Sequence, residues 1–421
     1  MPAPLKTDIL VIGGGPAGLA AATGMARSGL TVALARPAPA PQSSSADTRT
    51  AALFPPVIRM LRRLDAWDAL APSSAPLLGI RIVDQLGTFL KAPSVTFLAS
   101  EADLTDLGFN VPNAALAQAL EGAARRSGVH LLDDGLVVAL VPAAGSVDAV
   151  SAGGSQIVAR LVVGADGKES TARAAAGIEV SRWSYDQSAL AATFTHGRPH
   201  RGISTELHRQ MGPCTCVPLP GRTSSLVWVE QPRTLQRLQA ASDDEFLDEL
   251  SIVFGDLLGE LSNLGPRRSF PLTGLAAARM GGSRIALVGE AAHALPPIGA
   301  QGLNLGMFDV AALVGLVADA RALGQDIGAP SLLQAYDDLR RTDMRLRQGA
   351  VDALNRTLTA GFLPLEMLRG AGLHVLAAPP ALRRGLIRRG LAPLSPLPAL
   401  MAAGMATGNG PAAPMRSGHP A

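Results

Sequence analysis

The stretch DILVIGGGPAGLAAATGMARSGLTVALA, residues 8–35, decides what fold the chain can have. It predicts a buried strand over Thr7–Ile12, a helix over Pro16–Ser28 and a second strand over Thr31–Ala35. A strand, a glycine-rich turn, a helix and a second strand form a βαβ unit. The sequence therefore predicts an α/β fold that begins with a nucleotide-binding unit.

The turn of this unit carries a GxGxxG pattern at Gly13, Gly15 and Gly18. Glycines allow a tight turn and a close approach of a pyrophosphate to the backbone, while the helix N-terminus supplies N–H donors. A purely structural glycine turn is the alternative. The acidic residue expected at the end of the second strand is missing, because Arg36 stands there. Arg36 signals either a 2′-phosphate or a solvated loop charge with the ribose held elsewhere, and we favour the second interpretation.

Two later segments also place polar residues where a strand ends. The first is VVGADGKESTAR, residues 162–173, with Asp166 in its turn. The second is RIALVGEAAHALPPIGAQGLNLG, residues 284–306, in which a strand over Ile285–Val288 leads to Gly289 and Glu290 and a helix begins near Gly302. Open parallel sheets bind ligands at the carboxyl ends of their strands. The three motifs together therefore predict one ligand site.

Composition excludes several classes of function. The chain has 421 residues, 48% of them hydrophobic, and its net charge of +3 is not gathered into a basic tract, so we expect no nucleic-acid partner. Cys214 and Cys216 are too few for a zinc site and are expected to be reduced and buried, so no metal is expected. No signal peptide and no transmembrane helix are predicted, which favours a cytoplasmic protein.

Four strings carry a resemblance to a known family: DILVIGGGPAGLAAA, DTRTAAL, GADGKESTAR and GEAAHALPPIGAQGLNLGMFDV. The chain resembles the group A flavoprotein monooxygenases, and most of all the ubiquinone-biosynthesis hydroxylases. The resemblance runs from Thr7 to about Arg389. It implies an FAD-binding Rossmann-like domain of the glutathione-reductase type, interleaved with a mixed β-sheet substrate domain and followed by a helical C-terminal region.

We expect the FAD-binding domain to be discontinuous. Its expected pieces are residues 1–75, 106–180 and 270–330, and the substrate domain takes 76–105 and 181–269. The helical region covers 331–403, and the composition of 404–421 is typical of a disordered tail.

The resemblance also implies roles for particular residues. Arg49 would lie near the flavin, Pro297 would line its reactive face, and His293 is either a proton-transfer group or a structural hydrogen-bonding residue. Glu290, at a position where the family usually has Asp, would bind the ribityl chain. The residues expected to bind the cofactor are Gly13, Gly15, Gly18, Arg49, Asp166, Gly289, Glu290, Gly299, Gly302, Leu303 and Asn304.

The implied reaction is hydroxylation of a polyprenylated phenol or benzoquinol precursor of ubiquinone through a flavin C4a-hydroperoxide, with O2 and with NAD(P)H as the electron donor. Two alternatives stay open: a hydroxylase of a small soluble phenol, and a non-catalytic subunit that assembles with other ubiquinone-biosynthesis proteins. The basic amphipathic segment 381–394 is expected either to contact the inner face of a membrane peripherally or to fold onto the FAD domain.

Overall fold

The structure is a computed structural model that describes residues 3–38, 47–85, 94–296, 301–359, 383–385, 387 and 396–403, with backbone only at 348 and 350–359. Of the sequence predictions, those for Pro297, Gly299, most of 381–394 and the tail 404–421 lie outside these residues.

The described residues form twenty strands and nine α-helices. The strands are β1 (Leu5–Ile12), β2 (Val32–Ala35), β3 (Thr50–Leu53), β4 (Ala75–Pro76), β5 (Gly79–Asp84), β6 (Val95–Leu98), β7 (Phe109–Pro112), β8 (His130–Leu132), β9 (Val137–Pro142), β10 (Val147–Ser151), β11 (Gln156–Gly164), β12 (Val180–His196), β13 (Ile203–Arg209), β14 (Gly212–Leu219), β15 (Thr223–Glu230), β16 (Leu261–Ser262), β17 (Arg268–Ala277), β18 (Gly281–Gly282), β19 (Ile285–Leu287) and β20 (His293–Ala294). The α-helices are α1 (Pro16–Arg27), α2 (Pro55–Arg63), α3 (Trp67–Leu70), α4 (Asn113–Arg126), α5 (Thr171–Ala175), α6 (Pro232–Ala240), α7 (Asp243–Phe254), α8 (Gln301–Ala322) and α9 (Pro330–Thr359). Short 3-10 turns cover Ala71–Ser73, Ala99–Ala102, Gly255–Leu257 and Gly289–Ala291.

The first sheet has the order β18-β19-β11-β1-β2-β8, and its five strands from β19 to β8 are parallel. The strands β9 and β10 add an antiparallel pair to the first half of β11. Residues 9–12 are at most 2% exposed. Continuous apolar runs of this kind are typical of parallel strands covered on both faces. The prediction of an α/β fold that starts with a βαβ unit is confirmed.

The second sheet has nine strands in the order β20-β17-β12-β15-β14-β13-β5-β6, with β16 beside β12. Only the β13–β5 pair is parallel among its long pairs, so the sheet is mixed. Cys214 and Cys216 lie buried and reduced in β14, as expected. The predicted boundary at residue 270 falls inside β17, which belongs to this sheet as far as Ala277. The domain bounds themselves stay a prediction.

Helix α1 lies against β1, β2 and β11 and also contacts α4 and α8. It is buried from Gly18 to Met25, which requires small residues on several faces. At Gly24, a Cβ atom would lie 2.9 Å from Cγ2 of Val314 in α8. The small residues of the opening stretch therefore bring α8 close to the glycine turn.

Three local predictions are wrong. The apolar pattern of residues 57–70 predicts one helix, but the structure has α2 and α3 there, because Asp65 takes a left-handed φ of 54° between them. The pattern of Asp243–Leu261 predicts a helical segment of that length, but α7 ends at Phe254, because Gly255 also takes a φ of 54°. Arg36 is not a solvated loop charge, since it is only 7% exposed and pairs with two carboxylates.

By length and composition, one helix of the described residues, α8, could cross a membrane, but 72% of its apolar window is buried inside the protein. The described part of the basic segment 381–394 contacts the protein. Arg383 Nε donates to Glu101 Oε2 over 2.8 Å, and Ile387 packs into a small cluster with Leu77, Ala99 and Leu107. This part of the segment therefore docks beside β6 and the 3-10 turn that follows it.

Candidate functional site

The three sequence motifs meet along one edge of the first sheet, the edge formed by the carboxyl ends of its parallel strands. The last residues of β1, β11 and β19, which are Ile12, Gly164 and Leu287, lie side by side in register. Backbone hydrogen bonds continue the alignment, from Ala165 N to Ile12 O (2.8 Å) and from Val288 N to Gly164 O (2.9 Å). We call this edge, with Gly13–Gly18, Asp166 and Gly289–Glu290, the motif edge.

The glycines of the first motif are required for different reasons. At Gly13, with φ of 114°, a Cβ atom would lie 2.2 Å from Ala165 O, and at Gly18 it would lie 2.0 Å from Gly13 O. Contacts within the protein thus already require these two glycines. At Gly15, the N-cap of α1, no described atom lies within 4 Å of a Cβ position and no side chain caps the helix. The uncapped N-terminus and the open space beside Gly15 suit an anionic group such as a phosphate.

The third motif is a tight turn pressed against α8 and α1. Gly289 has a φ of 59°, and a Cβ atom at Gly306 would lie 3.1 Å from Gly289 Cα. Glu290 follows in the same 3-10 turn and is exposed. The turn therefore presents one solvated carboxylate at the motif edge, as the sequence predicts.

Arg49 directly precedes β3 and reaches Phe270 in β17 of the second sheet. Its Nε and Nη2 donate to the two carboxylate oxygens of Asp47, each over 2.8 Å, and its guanidinium lies 5.1 Å from the centre of the Phe270 ring. The hydrogen bond to Asp47 raises the pKa of Arg49 against the effect of burial, and the charge of Glu290 adds to the rise. Arg49 is thus a fixed cation within the electrostatic reach of Glu290.

His293 belongs to a buried polar network that the motif alone does not reveal. Its Nε2 lies 2.6 Å from Asp309 Oδ2, which also accepts from Gly289 N over 3.1 Å. Arg340 Nε donates to Asp309 Oδ1 over 2.8 Å, and Arg340 Nη1 donates to Asp343 over 3.1 Å. Burial alone would raise the pKa of Asp309, but the charges of His293 and Arg340 lower it. His293 and Asp309 are 2% and 0% exposed, so this geometry supports the structural interpretation of His293.

The start of α8 combines an anchored amide with an open glycine. Asn304 Oδ1 accepts from Phe54 N over 2.9 Å, and its Nδ2 donates to Ala52 O over 2.8 Å, which fastens α8 to β3. Leu303 packs against the main core. At Gly302, no described atom lies within 4 Å of a Cβ position. The first turn of α8 therefore has room for a ligand beside its backbone.

Asp166 is occupied within its own turn. Its Oδ1 accepts from Ser170 Oγ over 2.5 Å and its Oδ2 accepts from Ala172 N over 3.0 Å. These bonds hold the start of α5 against the motif edge.

Sequence reasoning missed Asp47, Phe270 and Arg340, whose only local signal is a charged or aromatic side chain. Among the described residues, no group of three or more His, Cys, Asp or Glu side chains could hold a metal ion.

Comparison with known proteins identifies the ligand class. The chain matches the family model of the FAD binding domain over residues 6–346, so it is a flavoprotein. It is 36% identical over 390 residues to the ubiquinone hydroxylase UbiL of Rhodospirillum rubrum, covering 92% of this chain and 90% of that protein. It is 31% identical over 388 residues to the 3-demethoxyubiquinol 3-hydroxylase of Escherichia coli, covering 91% and 96%. The chain therefore belongs to the ubiquinone-biosynthesis family of FAD-dependent hydroxylases.

Solved structures share the fold. The p-nitrophenol 4-monooxygenase PnpA of Pseudomonas putida superposes with a TM-score of 0.74 at 18% identity, covering 92% of this chain and 98% of that one. The anhydrotetracycline hydroxylase OxyS of Streptomyces rimosus gives 0.69 at 21% identity, covering 92% and 76%. The motif edge and the first turn of α8 fit FAD, because α1 begins at Gly15 without a side-chain cap and the described residues leave the positions beside Gly15 and Gly302 open.

Proposed function

We propose that this protein hydroxylates the aromatic ring of a polyprenylated ubiquinone precursor, as an FAD-dependent monooxygenase that uses O2 and NAD(P)H. The observation that carries the proposal is the meeting of the three motifs at one sheet edge, in register at Ile12, Gly164 and Leu287. The substrate class is taken from the two relatives, which are named as a ubiquinone hydroxylase and a demethoxyubiquinol hydroxylase.

The residues of the motif edge have distinct tasks in this proposal. The uncapped start of α1 at Gly15 binds the pyrophosphate of FAD through backbone N–H groups. The first turn of α8 at Gly302 stabilises negative charge on the reduced ring, since a helix N-terminus carries partial positive charge. Glu290 binds the ribityl chain. Bound FAD supplies the oxygen chemistry, and the chain supplies position, exclusion of water and electrostatics.

In this proposal the residues around Arg49 form one wall of the active site. Arg49 is fixed by Asp47 and lies over Phe270 of the second sheet, so in this proposal cofactor and substrate meet beside Arg49. An electron-rich ring bound there needs no protein nucleophile. Pro297 and Gly299, which the resemblance places at the reactive face, lie outside the described residues.

Peripheral membrane contact belongs to the same proposal, because a polyprenyl chain partitions into lipid. Arg383 is engaged by Glu101, and Ile387 is buried. We therefore propose that contact with the inner face of the membrane involves other residues of segment 381–394, with the protein on the cytoplasmic side and open to other ubiquinone-biosynthesis proteins.

The experiment that tests the function combines spectroscopy with product analysis. The purified full-length chain is titrated with FAD, and the visible flavin bands are followed. The loaded protein is then given NADH or NADPH, isotopically labelled O2 and either a polyprenylated phenol or its soluble unprenylated counterpart. Labelled oxygen in the prenylated ring is the expected result. Turnover of the soluble phenol alone would contradict the substrate class, and absence of FAD binding would refute the enzyme.

A further inference from the structure

Arg36 lies at the end of β2, where a dinucleotide-binding βαβ unit ordinarily presents an acidic side chain to a ribose hydroxyl group. Its stem packs directly on the glycine turn, since a Cβ atom at Gly14 would lie 2.6 Å from Arg36 Cδ. Arg36 Nε donates to Asp133 Oδ1 over 2.6 Å, and its Nη1 and Nη2 donate to Glu121 over 2.7 and 3.0 Å. The missing acid is thus replaced by a nearly buried cation between two carboxylates.

This arrangement argues against recognition of a 2′-phosphate by Arg36. All three guanidinium nitrogens already donate to a carboxylate, and the hydrogen bond to Glu121 raises the pKa of Arg36 still further. A phosphate would have to displace one of the carboxylates from a guanidinium that is 8% exposed. Recognition of the ribose therefore needs a different residue.

We propose that Asp133, held in place by Arg36, binds the ribose hydroxyl groups in the adenosine half of FAD. The inference rests on the proposed function, because it assigns a contact with the cofactor of that function. Asp133 would then supply from β8 the carboxylate that such units ordinarily supply from β2.

Strand register places Asp133 at the required edge. Strands β2 and β8 are parallel neighbours, and Ala35 pairs with Leu132. The residues that follow, Arg36 and Asp133, are therefore adjacent at the carboxyl ends of the two strands. Arg36 N also donates to Leu132 O over 3.1 Å, which holds the segment before Asp133. Asp133 therefore lies at the carboxyl end of β8, one strand away from the carboxyl end of β2, where the acidic residue of such units usually stands.

Of the two carboxylates, Asp133 is the one with an oxygen that accepts no hydrogen bond from the described residues. The Glu121 oxygens accept from both Nη atoms of Arg36, and Oε1 also accepts from Arg125. The hydrogen bond from Arg36, helped by the one from Arg125, lowers the pKa of Glu121 to about 2. Asp133 uses Oδ1 for Arg36, and within the described residues its Oδ2 accepts no hydrogen bond. The Asp133 side chain is also 36% exposed. A carboxylate oxygen is a strong acceptor for a hydroxyl group.

The test compares FAD with an FAD analogue whose adenosine lacks the 2′- and 3′-hydroxyl groups. Dissociation constants are measured by flavin fluorescence on the full-length apoprotein, for the wild type, Asp133→Asn and the control Asp326→Asn. Asp326 is a matched control, because it is a half-exposed partner of Arg284, whose side chain is also 8% exposed. Arg284 precedes β19 and so lies at the opposite edge of the sheet.

We expect the wild type to bind the analogue about 10-fold more weakly than FAD, which is the loss of one hydrogen bond to a charged group. Asp133→Asn should bind FAD about 10-fold more weakly and should not distinguish the two ligands. Asp326→Asn should behave as the wild type. Asp133→Ser, which also lacks the charge, should repeat the result and so separate it from a folding defect of one variant.

Two results would overturn the assignment: unchanged FAD affinity in Asp133→Asn, or equal weakening of both ligands, which would mean that the ribose hydroxyl groups are not involved. A wild-type protein that binds no FAD would instead refute the proposed function, so the two failures can be told apart.

Discussion

Gly302→Val should change stability in opposite directions in the absence and in the presence of FAD. Apart from its own helix, no described residue has an atom within 4 Å of a Cβ at Gly302, so the described part of the protein leaves room for the added Cβ. Valine is a better helix former than glycine by roughly 0.3 kcal/mol or more, so the apoprotein should be as stable as the wild type or slightly more stable. The added methyl groups fill the space that we assign to the flavin, so FAD binding should be lost.

The size of the expected stability difference follows from the coupling between FAD binding and folding. FAD at 100 times its dissociation constant stabilises the wild type by about 2.7 kcal/mol, and a variant that does not bind gains nothing. Thermal unfolding of both proteins is measured with and without FAD. Gly315→Val is the matched control, because Gly315 lies in the same helix and is equally free of described atoms within 4 Å of its Cβ position. It should keep the full stabilisation by FAD.

The reasoning would be refuted if Gly302→Val kept the same FAD-induced stabilisation as the wild type, because the open space beside α8 would then not be the flavin site. A large loss of stability in the apoprotein would refute the packing argument instead.

Three further predictions concern charged residues. Arg340→Met removes the cation that the buried Asp309 and Asp343 share, and leaves His293 and Arg347 as their remaining partners. It should lower the free energy of unfolding by about 3 kcal/mol in urea titrations, whereas loss of the exposed pair in Arg237→Met should cost at most about 1 kcal/mol. Similar values would show that burial does not matter here. Glu290→Ala should weaken FAD binding while unfolding is unchanged, and an unaltered dissociation constant would remove Glu290 from the site. The hydrogen bond from Arg36 lowers the pKa of Glu121 from 4.5 to about 2, so the contribution of ionised Glu121 to stability is present above pH 4.5 and is lost as the pH falls toward 2. The difference in unfolding free energy between the wild type and Glu121→Gln should therefore shrink from pH 4.5 to pH 2. A difference that does not depend on pH would contradict the pairing.

The sequence was sufficient for the features that local patterns determine. The strand, the glycine turn and the helix around Gly13–Gly18 form one continuous pattern. Gly289 follows a short apolar run, which is the pattern of a buried strand that ends at a turn. The register that brings these motifs together follows from parallel strand pairing, so their meeting could be predicted as well.

Partners distant in the sequence could not be predicted. Arg36 looks like a loop charge because Glu121 and Asp133 lie 85 and 97 residues away. The stretch around Arg340, rich in Asp and Arg, resembles a solvated helix face, yet Arg340 and Asp343 are 3% and 0% exposed. Periodicity detects apolar faces, and it gives no signal for charges that are buried by pairing across the fold.

This buried network connects the C-terminal helix α9 to the turn at the motif edge. An isolated carboxylate is costly to bury, so Asp309 can be fully enclosed only because Gly289 N, His293 and Arg340 all satisfy it. Two of these groups belong to the turn at the motif edge, and Arg340 belongs to α9. Loss of Arg340 would leave Asp309 with His293 and Gly289 N as its partners. The turn that carries Glu290 is thus connected through Asp309 to a helix that begins about 40 residues later, at Pro330.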